Sequence, residues 1–204
     1  MGWEQTFARM DACKVRWKDD LPDRQEETHE KRVIEVERKE LIEKIEGLSE
    51  RDVHVVEETV RALAGMKTNR YPFLGNFLQI EREERGADGV FRCGMPIRPD
   101  MQNPYRIVYG GLTATLADMA MAWMLEDYIQ DPDKYVTLDM NVTYHNPGIG
   151  KRLLAEARVV HHAADIWQVA CTIQNDRGQL VATATGTFLQ LVRKARMKAG
   201  EGSL

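Results

Sequence analysis

The chain has 204 residues, 43% of them hydrophobic and 29% charged, with a formal net charge of −4. That length and apolar content support one packed domain with an appendage, or two small domains, and exclude wholesale disorder. The acidic balance argues against a nucleic-acid binder that works by neutralising phosphates. No apolar run approaches the roughly 18 residues of a membrane span, and no secretory leader is visible at the start. Cys13, Cys93 and Cys171 form neither a CxxC pair nor an even disulfide set. A reducing cytoplasm, with no nucleic-acid or membrane partner, is the expected setting.

Charge divides the chain. From Lys18 to Glu58 the local net charge is −7, which leaves +3 for the remainder. The acidic zone reads as helices. Trp3, Phe7, Met10, Cys13 and Trp17 fall on one helical face. A charged helix is expected over Asp23 to Glu46, with Glu27–Lys31, Glu35–Lys39 and Glu40–Lys44 as favourably ordered i,i+4 pairs and Gly47 at its end. Ser49 is an N-cap for a third helix with Asp52 in its first turn, an apolar stripe of Val53, Val56, Val60 and Leu63, and Gly65 near its end. These helices are expected to form an extension over residues 1–68, a solvated support, a lid or an oligomerisation arm, and a second domain covers residues 69–204. The polar stretch between Gly65 and Pro72 marks the boundary.

The second domain reads as strands around one helix. Phe73 to Glu83 and Gly89 to Ile97 are expected as a hairpin pair. Gly110-Gly111 opens an apolar helix over Leu112 to Ile129, apolar nearly all round and hence buried. Four strands follow, Tyr135 to Tyr144, Arg152 to His161, Ile166 to Gln174 and Leu180 to Leu191, separated by turn-forming residues. The order β-β-α-β-β-β-β is an α+β layer architecture, an antiparallel sheet wrapped about one helix.

Chemistry concentrates between Asn103 and Asp118. Gly110-Gly111 stands where a loop becomes a helix, and the first N–H groups of a helix lack internal partners and favour developing negative charge. The same pair also suits a tight turn with no ligand. Asp118 lies among Leu116, Ala117, Met119, Ala120 and Met121, where a carboxylate is costly to bury unless paired or used. It is a candidate general base or nucleophile, or a helix acid that reaches solvent. The side-chain amide of Asn103 can orient a carbonyl or a water, or simply form the turn before Pro104. Gly110 and Asp118 are eight positions apart, about 12 Å along a helix axis. One carbonyl cannot touch both, so a shared reaction centre draws them from two chains and requires at least a dimer. His145, His161 and His162 lack the spacing of a metal site, and a buried, inert Cys171 is expected.

With the Asn103, Tyr109-Gly110-Gly111 and Asp118 spacing, the strand Thr137-Leu-Asp-Met-Asn-Val-Thr-Tyr144 and the last strand Leu180 to Phe188, the region from Tyr71 to Leu191 resembles hotdog-fold PaaI-type acyl-CoA thioesterases of the 4-hydroxybenzoyl-CoA thioesterase superfamily. The resemblance implies hydrolysis of acyl-CoA to a carboxylic acid and free CoA, without a metal or redox cofactor, by a homodimer or homotetramer with sites shared between chains. Gly110 N–H, helped by Asn103, would polarise the thioester carbonyl. Asp118 would activate water or attack directly, and Thr137 would hold that water. Tyr109, which stands where the family has His before Gly110-Gly111, and Gly111 would contact the substrate. The turn His161-His162-Ala-Ala-Asp165 lacks the basic residue often found in relatives, so Arg106, Arg98, Lys151 and Arg152 are considered for the CoA phosphates. The rival reading is a non-catalytic hotdog module that binds an acyl-CoA or other acyl ligand, with Tyr109 as the mark of lost catalysis; a third is another enzyme on this fold, such as a hydratase.

Overall fold

The computed structural model describes residues 38–69, 71–83, 88–129 and 134–191. The expected Trp3-to-Trp17 helix and the first part of the charged helix lie outside these residues. The chain divides into two compact units, Met1–Gly47 and Leu48–Leu204. In the first, helix α1 (Arg38–Glu46) carries Glu40 in its first turn and Lys44 in its last, each complementing the helix dipole.

The second unit opens with α2 (Glu50–Gly65), capped as the sequence implies: Ser49 Oγ accepts the Asp52 N–H at 3.3 Å. Its buried face differs from the expected stripe. Val53, Val60 and Leu63 are exposed, whereas Glu58 and Ala62 are buried. A buried carboxylate is tolerable here because it is paired. Gln79 Nε2 donates to Glu58 Oε2, and Arg61 lies 3.0 Å from Oε1.

The expected strand from Phe73 to Glu83 is mostly replaced by a short helix, α3 (Phe73–Phe77), and a two-residue strand, β1 (Glu81–Arg82). Pro72 stands at the N-cap, and the Asn76 side-chain amide donates back to the carbonyls of Tyr71 and Pro72. These local bonds close a helical turn in place of a ladder. A Cβ on Gly75 would come within 3.1 Å of Met119 Cε, so glycine lets this turn lie against the central helix.

Strand β2 (Phe91–Pro96) leads through a 3-10 turn, Pro99–Met101, to the central helix α4 (Gly110–Leu125). After Leu125 the chain continues in turns through Ile129, short of the expected helix end. Strands β3 (Lys134–Tyr144), β4 (Arg152–Ala163), β5 (Ile166–Asn175) and β6 (Leu180–Leu191) follow their sequence boundaries closely. The six strands form one sheet of order β1-β2-β4-β5-β6-β3, antiparallel at every step. The result is the expected α+β layer arrangement.

Helix α4 lies across this sheet. Leu116, Ala117, Ala120, Met121, Met124 and Leu125 are fully buried with Leu153, Val169, Ile173 and Phe188 from the strands. Gly186 on β6 permits the approach: a Cβ there would meet Phe188 at 2.9 Å and Met121 Cε at 3.1 Å. Strand β3 occupies one edge of the sheet, and along it Val136, Leu138 and Tyr144 are exposed. Its ladder with β6 skips Leu138: Thr137 opposes Phe188 and Asp139 opposes Thr187, a β-bulge.

Candidate active site

The loop before α4 is organised by Asn103. Its Oδ1 accepts the N–H groups of Tyr105 at 2.9 Å and Ile107 at 3.2 Å, and its carbonyl accepts the Arg106 N–H at 2.9 Å. Asn103 is therefore a turn former, and that role assigns the amide: the oxygen faces the backbone donors. Its Nδ2 group has no protein acceptor among the described residues. One asparagine thus builds the turn and still offers a donor.

Tyr109 is the N-cap of α4, with its N–H bonded to Met101 O at 3.1 Å and its carbonyl accepting from Leu112 and Thr113. Among the described residues, the Gly110 and Gly111 N–H groups donate to no protein acceptor. The two glycines differ in their surroundings. Gly111 faces open space, whereas a Cβ on Gly110 would press on the Tyr144 ring at 3.3 Å. Tyr144 Oη donates to Gly110 O at 2.7 Å, which ties the helix start to the end of β3. Asn103, Gly110, Thr113, Tyr144, His145 and Asn146 line a cavity of about 320 Å³. Asn103 and Gly110, each with an unused donor among the described residues, therefore border one space.

Asp118 stands two turns further along the same unbroken helix. It is half-buried, and Thr137 Oγ1 donates to its Oδ1 at 3.1 Å. The bulge at Leu138 immediately follows Thr137. Asp118 and Thr137 meet within one chain, but neither lines the cavity at Gly110. The residues read from sequence thus fall in two places: Asn103 with Gly110, and Asp118 with Thr137.

A second cavity, of about 600 Å³, is lined by Arg51, Pro99, Gln102, Asn103, Pro104, Arg106 and Tyr109. Of the basic residues considered from sequence, Arg106 alone lines it. Arg98 is buried, makes two hydrogen bonds to Asp100 and donates to Phe77 O at 2.8 Å. Burial works to raise the Asp100 carboxyl, but the hydrogen bonds and charge of Arg98 outweigh it and hold Asp100 below the usual carboxylate range. Arg152 pairs with Glu83 at 3.2 Å, and Lys151 lines neither cavity.

The other titratable candidates have structural settings. Burial pushes the thiols of Cys93 and Cys171 up to about 12, which makes both inert at neutral pH. His162 stacks on Trp167 at 3.6 Å, and His145 bonds Thr183 Oγ1 at 2.9 Å while lining the smaller cavity. Tyr144, Thr113 and Arg51 were missed in the sequence. Tyr144 ends a recognisable strand, but its contact with Gly110 spans 34 positions.

The thioesterase superfamily profile matches residues 105–182. The CoA-bound BH2602 protein of Bacillus halodurans is 36% identical; the alignment covers 72% of this chain and 98% of that one, with a TM-score of 0.66. This chain belongs to the thioesterase superfamily. The superfamily's hotdog fold is also shared with thioesterase HI1161 of Haemophilus influenzae (19% identity, 58% and 82% coverage, TM-score 0.55). The phenylacetic acid degradation-related protein of Ralstonia eutropha has it too (22% identity, 62% and 97% coverage, TM-score 0.55). A search of the curated proteins found no match. No described helix is long and apolar enough to cross a membrane.

Proposed function

We propose that this superfamily member is a PaaI-type acyl-CoA thioesterase working as a homodimer or homotetramer, with each site built from two chains. The observation that carries the reading is the pair of half-sites on one continuous helix. Free donors at Asn103 and Gly110 stand at one end of α4, and a hydrogen-bonded carboxylate stands about 12 Å further on. A two-fold partner supplies the missing half to each. The position of β3 at the sheet edge supports such a partner, because a long edge strand is a template for another chain.

The chemistry follows from these groups. The thioester carbonyl oxygen accepts hydrogen bonds from Gly110 N–H and Asn103 Nδ2. The partner subunit's Asp118 takes a proton from water that the partner subunit's Thr137 helps to hold. The hydroxide adds to the carbonyl carbon, and the negative charge on oxygen is met by the two donors. Collapse breaks the C–S bond, and the proton on Asp118 passes to the departing thiolate. The products are a carboxylic acid and a thiol. A thiolate leaves readily, so one carboxylate and two donors are enough. Gly111 and Tyr109 flank the carbonyl site, and Arg106 lies on the approach to it.

Thiol release from an acyl-CoA panel, acetyl to palmitoyl with phenylacetyl and benzoyl, tests this assignment. Asp118→Asn is expected to lower kcat by about 10²- to 10⁴-fold while circular dichroism and oligomeric size stay as in the parent. Parent-like turnover in that variant removes the carboxylate from the mechanism. A parent that binds acyl-CoA without releasing thiol favours the acyl-ligand binding module.

A further inference from the structure

Arg106 adopts φ 60°, a left-handed backbone conformation that favours glycine because an L side chain crowds its own carbonyl. The loop places that conformation at Arg106: the Arg106 N–H closes a turn onto Asn103 O, and the chain then bends back at Arg106 so that the Asn103 N–H reaches Ile107 O. Glycine would satisfy the same turn without strain, yet an arginine stands there. Strain kept at a site border points to a use for the side chain.

The surroundings indicate that use. The Arg106 side chain is exposed and makes no ion pair or hydrogen bond among the described residues. It lines the 600 Å³ cavity with Arg51, which α2 contributes from 55 positions upstream. Arg51 spends one N–H on Pro99 O at 3.0 Å, which holds the guanidinium at the cavity. Among the described residues, no acidic side chain lines this space. Of the acids nearest in sequence, Asp52 is engaged with Ser49 and Asp100 with Arg98, and Glu50 is not among the residues that line the cavity. Two guanidinium groups without counter-charges, in a chain of net charge −4, make a local anion site. Asn103 borders both this cavity and the one at Gly110, so the two cavities are neighbours.

We infer that Arg51 and Arg106 bind the phosphates of the thiol carrier, with the pantetheine arm passing Asn103 and Tyr109 toward Gly110. This rests on the thioesterase reading and adds a role for the helix before the strand layer. Planar guanidinium forks suit phosphate oxygens, and they replace the basic residue absent from the β4–β5 turn.

The test compares kcat/KM for one acyl group on three carriers: CoA, 4′-phosphopantetheine and phosphate-free N-acetylcysteamine. In Arg51→Gln and Arg106→Gly, the preference for the CoA thioester over the N-acetylcysteamine thioester is expected to fall about tenfold each, through KM. Arg51→Lys is expected to restore part of it, because a lysine keeps the positive charge that a phosphate contact uses. Arg106→Gly is expected to melt no lower than the parent, since glycine suits φ 60°. A fall shared by 4′-phosphopantetheine assigns the pantetheine-proximal phosphate to the cavity; a fall confined to CoA assigns the nucleotide phosphates. An unchanged carrier preference in both variants overturns the inference and leaves the thioesterase reading standing. If the parent hydrolyses none of the three, titration calorimetry with 3′,5′-ADP decides: weaker binding in the double variant keeps the anion site without the hydrolysis, and equal binding removes it.

Discussion

Tyr109 illustrates how one side chain can change without moving the backbone that matters. Its main chain caps α4 and bonds Met101 O, and neither role depends on the side chain. The phenol is half exposed. A histidine there fits the same N-cap backbone. Tyr109→His is therefore expected to preserve or raise kcat in the thiol-release assay. A large loss would assign the tyrosine its own part in shaping the acyl or carrier path. Asn103 shows the converse case, in which turn formation and substrate polarisation are not alternatives. The oxygen does the first, and that leaves the nitrogen for the second in the proposed mechanism.

At the scale of elements, the long strands were legible because turn residues bracket them and apolar positions alternate. Phe73 to Glu83 was not, because short apolar spacing looks alike in a strand and in a single helical turn. The Asn76 hydrogen bonds and the fit of Gly75 against Met119 decide between them. The inward face of α2 was also hidden, since burying Glu58 depends on Gln79, 21 positions away. The α4-to-sheet contact rests on a small residue. Gly186→Ala is expected to destabilise the protein by about 1–3 kcal/mol through overpacking against Phe188 and Met121. Urea unfolding checks this, and parent-like stability would mean that the helix can lift from the sheet at no cost.

For the whole molecule, the edge strand β3 matters most. Its exposed Val136 and Leu138 would face solvent in an isolated chain. Lysine at a sheet edge discourages strand addition. The double substitution Val136→Lys, Leu138→Lys is expected to shift the protein to a monomer by light scattering and to abolish thiol release, since each half-site then lacks its complement. A monomer with full turnover would show that one chain holds a complete site.

The amino-acid sequence by itself determined the element types over residues 88–191, the helix start at Gly110, and the eight-residue interval to Asp118. These depend on local backbone chemistry and on periodicity, which a linear sequence carries. Tertiary structure alone decided which residues meet. The Leu138 bulge beside Thr137, the Tyr144 hydroxyl on Gly110 O, and the convergence of Arg51 with Arg106 all join positions remote in sequence or depend on strand register. Register and packing are settled by the whole core at once, so no local pattern encodes them.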